Sequence, residues 1–404
     1  MKLVHLLYIL ITPWGLYCQT ENFWTKKNDF GGLKRERAVA FSIDNYGYVA
    51  TGVDTSEVVH NDLWKYDPIM DSWTQLANIP GTGRRDAVGF ALNGKGYVAT
   101  GIDNDASPIG IKFNDLWEYD PSTNAWLQKA NFPGGGGNGI YFATAFTLDQ
   151  KGYVCCGKVG PNSYTNELWE YKPSLNQWVQ RANFPGGVRY QLSSFSIGMY
   201  GYVGLGANQD VFKNDFWRYS AGTNQWTQIA SLPASERGGA VTFAIGNRGF
   251  VCMGNDGGIL DDLWEYNPVI DQWSVRAPYG GSERKNAIAL TAYGKAYVGT
   301  GKGYSGKKAG MEEYIPYANV GLMEDQAVSL SVYPNPTTDI LNIRSKFQGL
   351  DIALYSFDGR LIHMNKSTKE NIQIDISREL PGIYVLIAKN EKGTTIFSEK
   401  VIHY

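Results

Sequence analysis

The sequence predicts an all-β chain: six four-stranded units, spaced as in propeller blades, followed by a small β-sandwich. Three observations predict it. The composition, with 47 Gly, 26 Tyr and 12 Trp in 404 residues and only 19% charged residues, suits strands joined by tight turns. One Trp recurs at residues 24, 73, 126, 178, 226 and 273, at intervals of 49, 53, 52, 48 and 47. Beyond residue 325 there is no Trp and no Cys, and short alternating strands replace the repeats.

The chain begins with Lys2, an apolar run from Leu3 to Ile11 and a breaker at Pro13. This pattern predicts a secretory signal peptide over residues 1–18, too short to span a bilayer as a helix. Gly15-Leu16-Tyr17 before Cys18 is a poor lipoprotein signal. No other stretch is apolar enough for a transmembrane segment.

Each repeat then reads as four strands. An apolar first strand and a short turn lead to a second strand, GYVATG at 47 and 96, GYVCCG at 152, GYVGLG at 201, GFVCMG at 249 and AYVGTG at 296. A variable stretch precedes the third strand, as in NDLWEYDP, and the fourth carries the recurrent Trp. Trp14 aside, all eleven tryptophans occupy one of two repeat positions, nine residues apart in the five complete units. A residue needed in nearly every unit points to packing between neighbouring sheets rather than to ligand stacking.

These motifs resemble the kelch repeat over residues 21 to 317, and the resemblance implies a six-bladed kelch β-propeller over 19–317. The last unit lacks a final Trp, whereas residues 21–27 (ENFWTKK) supply a lone fourth strand. That strand is expected to complete the last blade and close the ring.

Within the repeat, the turns on one face have fixed lengths and the connections on the other vary. The varied set comprises 53–60, 102–113, 134–141, 158–165 and 302–309, and function on a rigid scaffold tends to reside there. Eleven residues after the fourth-strand Trp stand Arg35, Arg84, Arg189, Arg237 and Arg284; in the third unit the interval is fourteen and ends at Ile140, after a glycine run. These arginines could ring the channel mouth and hold a carboxylate, sulfate or phosphate, with Tyr141 beside the gap. Their recurrence in five units favours a scaffold role instead, tying neighbouring blades to backbone carbonyls. Asp103 and Asp105 on the longest loop are a further candidate ligand site. They lack the spacing of a calcium loop, so no metal is expected.

Some kelch propellers are copper-radical oxidases, which need several His ligands; here the propeller has only His60, which also disfavours a Ser-His-Asp triad. No cofactor and no catalytic residue are assigned. Cys155 and Cys252 occupy the small-residue position of Ala50, Ala99, Gly204 and Gly299 and read as buried packing residues.

After a linker at 318–327, the tail shows about seven strands, an Ig-like sandwich pattern. SVYPNPTTDILNI, IALYSFDGRLI and LPGIYVLIAKNEKGTTIFSEKVI resemble the type A C-terminal sorting domain of the type IX secretion system of Bacteroidetes, over 328–404. In that pattern Pro334, Asn335 and Pro336 shape the opening turn, and Gly382 and Tyr384 mark the late strand. The resemblance implies engagement of the type IX translocon and sorting machinery. The tail would then be cleaved, and the cargo attached to the cell surface or released.

A formal charge of −2 without a dense basic run argues against nucleic acid as partner. The expected function is an exported binding or interaction module for a glycan or protein. The alternative is a carbohydrate-active propeller enzyme such as a sialic-acid mutarotase-like epimerase, which would show an acid beside an Arg or His at the channel with a shifted pKa.

Overall fold

A computed structural model describes residues 22–103, 110–316, 330–345, 349–356, 360–366, 371–389 and 395–404. The predicted signal peptide, the linker and Asp105 lie outside the described residues. The chain divides into two compact units, one spanning Thr20–Tyr317 and the other containing Ala318–Tyr404.

Among the described residues, the first unit contains six four-stranded antiparallel sheets, five of them ordered as their strands occur along the chain. The sixth takes three strands from Ile288–Ala292, Lys295–Gly299 and Met311–Ile315, and its fourth from Phe23–Lys27. The join is antiparallel and in full register, from Phe23 opposite Ile315 to Lys27 opposite Met311. The arrangement is a β-propeller, and each sheet is a blade.

Exposure grades outward along each blade. First strands such as Val39–Ile43 alternate buried and half-buried residues, with small side chains (Ala40, Gly89, Ala145) lining the central channel. Second strands are buried almost throughout, whereas outer strands such as Ala125–Lys129 are largely exposed. The Gly of the GYV motif has a packing cause. A Cβ on Gly96 would stand 2.3 Å from the Phe41 ring of the preceding blade, and one on Gly152, 2.5 Å from Phe90. At Gly96, Gly152, Gly201 and Gly249 glycine admits the Phe of the neighbouring first strand, and that contact belongs to the inter-blade core.

The tryptophans join blades by hydrogen bonds as well as by area. Trp126 Nε1 donates to Ala77 O of the preceding blade at 2.8 Å, and Trp178, Trp226, Trp273 and Trp24 donate likewise to Ala130, Ala182, Ala230 and Ala277. The same residues are held from the other side: Ala77 N–H donates to Asn124 Oδ1 at 2.9 Å, and Asn124 also accepts from the Tyr119 hydroxyl. Asn124 sits at φ 51°, a conformation that Asn tolerates better than most side chains.

On the varied face, the third and fifth blades depart from the expected separate loops. Their second and third strands run on as hairpins, Lys151–Gly160 with Ser163–Lys172 and Arg248–Asn255 with Ile259–Asn267. Each hairpin carries a bulge, after Cys155 and after Cys252.

The second unit has seven strands among its described residues, in a three-stranded and a four-stranded sheet. Leu341, Ile343, Ile352, Leu354, Ile374 and Leu386 form its core. Pro334, Asn335 and Pro336 form the bend after the first strand, where the Asn335 side chain accepts the Ile402 N–H at 3.0 Å. Gly382 opens the late strand opposite His403, and the Tyr384 hydroxyl donates to Leu380 O at 2.6 Å.

Candidate functional site at the channel mouth

The structure corrects the arginine ring as a ligand site. Arg35, Arg84, Arg189, Arg237 and Arg284 are between 1% and 4% exposed, so their donors face the interior. Arg35, Arg84, Arg189 and Arg237 each grip an aspartate of their own blade with both terminal nitrogens, and the Nη2–Oδ2 distance is 2.8 Å to Asp62, Asp115, Asp215 and Asp262. The indole of the third-strand Trp donates to the same carboxylate, as Trp117 Nε1 does to Asp115 at 2.7 Å. Arg284 has Gly310 where the others have Asp, and it uses the carbonyls of Thr300 and Gly310, both at 3.0 Å.

The pairs bind within one blade, not between neighbours. Each arginine also donates to the carbonyl of a residue ending the second strand in the left-handed region: Thr51, Thr100, Leu205, Met253 and Thr300, at φ between 55° and 64°. Non-glycine residues occupy this region at a cost. The guanidinium therefore fixes a strained bend and neutralises a buried acid.

Two residues beyond each arginine position lies the ring that does face the channel mouth: Arg37, Asp86, Phe142, Gln191, Gly239 and Asn286. All of them have φ between 53° and 61°. Their backbones close a circle of hydrogen bonds around the pore. Arg37 N–H donates to Asn286 O at 3.0 Å, Asp86 to Arg37 at 3.2 Å, Phe142 to Asp86 at 3.0 Å and Gln191 to Phe142 at 3.0 Å. Gly239 then donates to Gln191 at 3.2 Å, and Asn286 to Gly239 at 2.9 Å. These residues line a cavity of about 120 Å³ that continues the channel. Sequence reasoning missed this ring because none of its residue types repeats. A signal was present: fixed register in every repeat, with different chemistry each time.

The side chains make the mouth polar and asymmetric. Buried Asp86 pairs with Arg85 and, at 3.4 Å, with Arg37, yet burial outweighs both guanidinium groups and pushes its carboxyl up. Lys158 and Lys285 have no ion-pair partner among the described residues, and burial lowers the pKa of both ammonium groups. The third and fourth blades contribute an aromatic wall: Tyr141 against Phe142 at 5.7 Å, Phe142 against Tyr190 at 6.0 Å, and Tyr164 stacked on Tyr190 at 5.2 Å. The Lys158 ammonium sits 4.2 Å from the Tyr190 ring centre and the Arg37 guanidinium 4.9 Å from that of Phe142. Of the predicted site residues, Tyr141 belongs here; its backbone bridges to Lys158 where the glycine insertion ends.

Asp103 is buried, and its carboxylate accepts the Ile111 N–H at 2.6 Å, so it braces its own loop. His60 Nε2 lies 2.9 Å from Asp54 Oδ2. Against a desolvation that raises it, this bond and the N–H groups of Val58 and Ser56 hold the Asp54 carboxyl below the usual range. Among the described residues, no cluster of three or more His, Cys, Asp or Glu side chains could hold a metal ion.

Three comparisons bear on the chain. No curated protein matches it. The solved structure of YjhT matches with a TM-score of 0.60 and 17% identity, covering 70% of this chain and 94% of that one, a likeness that shows the β-propeller fold alone. Residues 331–403 match the secretion system C-terminal sorting domain. No helix among the described residues is long and apolar enough to cross a membrane. The second unit is thus a sorting domain, which directs the protein by type IX secretion to the cell surface or the exterior.

Proposed function

We propose that the propeller is a kelch-type binding module that takes a glycan or protein ligand at the channel mouth, on the face with the varied connections. One observation carries this reading. Positions that serve the scaffold repeat from blade to blade, as Trp, Arg, Asp and Gly do, whereas the six mouth positions share one backbone conformation and differ in every side chain. Left-handed backbone favours Gly or Asn, so Arg37, Phe142 and Gln191 there are retained against a cost of roughly 1 kcal/mol or more each. The sorting domain supports an extracellular ligand, and Pro334, Asn335, Pro336, Gly382 and Tyr384 are the motif residues offered to the secretion machinery.

A glycan array and pull-down from culture surroundings, using the exported protein, tests this reading. Binding should fall at least tenfold in Phe142→Ala and Arg37→Ala, while Arg237→Ala should act through stability alone. Binding that survives both mouth changes would remove the site.

A second reading, a carbohydrate-active enzyme, is favoured by Asp86, a buried acid with a raised pKa beside two arginines. It requires turnover that Asp86→Asn abolishes without abolishing binding.

A further inference from the structure

We infer that Cys155 and Cys156, consecutive in the sequence, form a vicinal disulfide in the exported protein. Consecutive residues of a regular strand point to opposite faces. Here the bulge after Cys155 places Cys156 at φ 61° and brings the two sulfurs to 3.5 Å. Closing that gap to the roughly 2.05 Å of a disulfide is a motion of about 1.5 Å. Both side chains are at most 1% exposed, so no ligand or solvent competes for them. Export by the sorting domain takes the chain out of the cytosol, to surroundings where disulfides form and persist.

The bond has a structural purpose in this blade. In five blades an arginine grips the carbonyl of the left-handed residue that ends strand two. In the third blade Ile140 stands at the arginine position, and the left-handed residue is Cys156. A ring closed through Cys155 would lock the left-handed bend that no arginine grips in this blade. The fifth blade is an internal control: Cys252 stands at the Cys155 position, but Met253 follows it, so that blade has no adjacent cysteine to pair with and keeps its arginine.

The oxidant is a thiol–disulfide carrier. One cysteine thiolate attacks the carrier's disulfide, forming a mixed disulfide and releasing one carrier thiol. The neighbouring thiolate then displaces the second. The Cys155 and Cys156 thiols lose two protons and two electrons, and the carrier disulfide becomes a dithiol. Burial raises the Cys155 thiol well above its usual pKa, which slows attack by that thiol once the strand is folded.

The test uses the secreted full-length protein, unfolded in iodoacetamide without reductant and digested with trypsin. Residues 152–158, bounded by Lys151 and Lys158, contain both cysteines. The expected peptide is lighter than the dithiol by two hydrogens, unlabelled, and doubly labelled after reduction, while Cys252 labels in both cases. A doubly labelled peptide without reductant, or a cross-link to Cys252, would overturn the inference. Cys156→Thr restores the residue used at Thr51, Thr100 and Thr300. Its unfolding midpoint should ignore reductant in the denaturant, whereas that of the wild type should fall. An equally indifferent wild type would overturn the locking role.

Discussion

Arg84 and Arg284 occupy the same repeat position but face different partners, which separates two costs within one protein. Replacing Arg84 with Leu strands the Asp115 carboxylate, which now accepts two guanidinium bonds and the Trp117 indole. Breaking a buried ion pair on one side costs about 3–5 kcal/mol. Exposures of 1% for the Arg84 side chain and 17% for Asp115 place the loss near the lower end, about 3 kcal/mol. Replacing Arg284 with Leu strands no carboxylate, only the carbonyls of Ser282, Thr300 and Gly310, a loss of about 1–2 kcal/mol. The blades concerned are not adjacent, so the effects should add in the double variant. Urea unfolding of the full chain, at unchanged slope, reads each value. Equal losses, or a loss below about 1 kcal/mol for Arg84→Leu, would refute the view that these arginines neutralise buried acids.

Three further outcomes are expected. Gly96→Ala drives a methyl into Phe41 at 2.3 Å and should destabilise by about 1–3 kcal/mol, an effect that Phe41→Leu partly relieves in the double variant. The Glu170 carboxyl, though burial raises it, is held below its usual range by Arg181 and by the Tyr153 hydroxyl. Its contribution is therefore complete above the unfolded value near 4.3 and lost as pH falls through the lower folded value, so the deficit of Glu170→Gln should narrow below about pH 4.3 in acid unfolding curves. Deleting 331–403 should stop secretion and leave the propeller inside the cell envelope; normal display of the shortened chain on fractionation would contradict the sorting role.

The scaffold was legible wherever one physical demand recurs. Trp126 and its equivalents mark each blade because every blade meets a neighbour, and the Gly of GYV repeats because every first strand sends an aromatic or Leu across. The arginines were visible, but their partners were not. Asp115 lies 31 residues beyond Arg84, and only the third repeat, where Ile140 and Glu167 change together, hints that the two positions meet. The mouth was the least legible part. Its six positions are assembled by a backbone circle linking residues about fifty apart, and their chemistry has no period to find. The desolvation of Lys158 and Lys285 likewise follows from neighbours that no local pattern announces.

The indole of Trp73 is the exception among the outer-strand tryptophans. Its Nε1 is buried without an acceptor, and the residue across the gap is Asn28, where the other blades present an alanine carbonyl. That gap borders the blade whose fourth strand, Phe23–Lys27, reaches Met311–Ile315 through non-covalent contacts. The circle therefore has a clasp, where strands from the two ends of the propeller sequence meet without a covalent connection and the Asn28 amide groups donate to Asp71 across the gap. Opening fluctuations should start there, so amide hydrogens of Phe23–Lys27 should exchange ahead of those in other outer strands such as Ala125–Lys129. During synthesis and transit the molecule stays an open strip until residues some 290 positions apart meet, and loop closure on that scale makes fastening the last and slowest step.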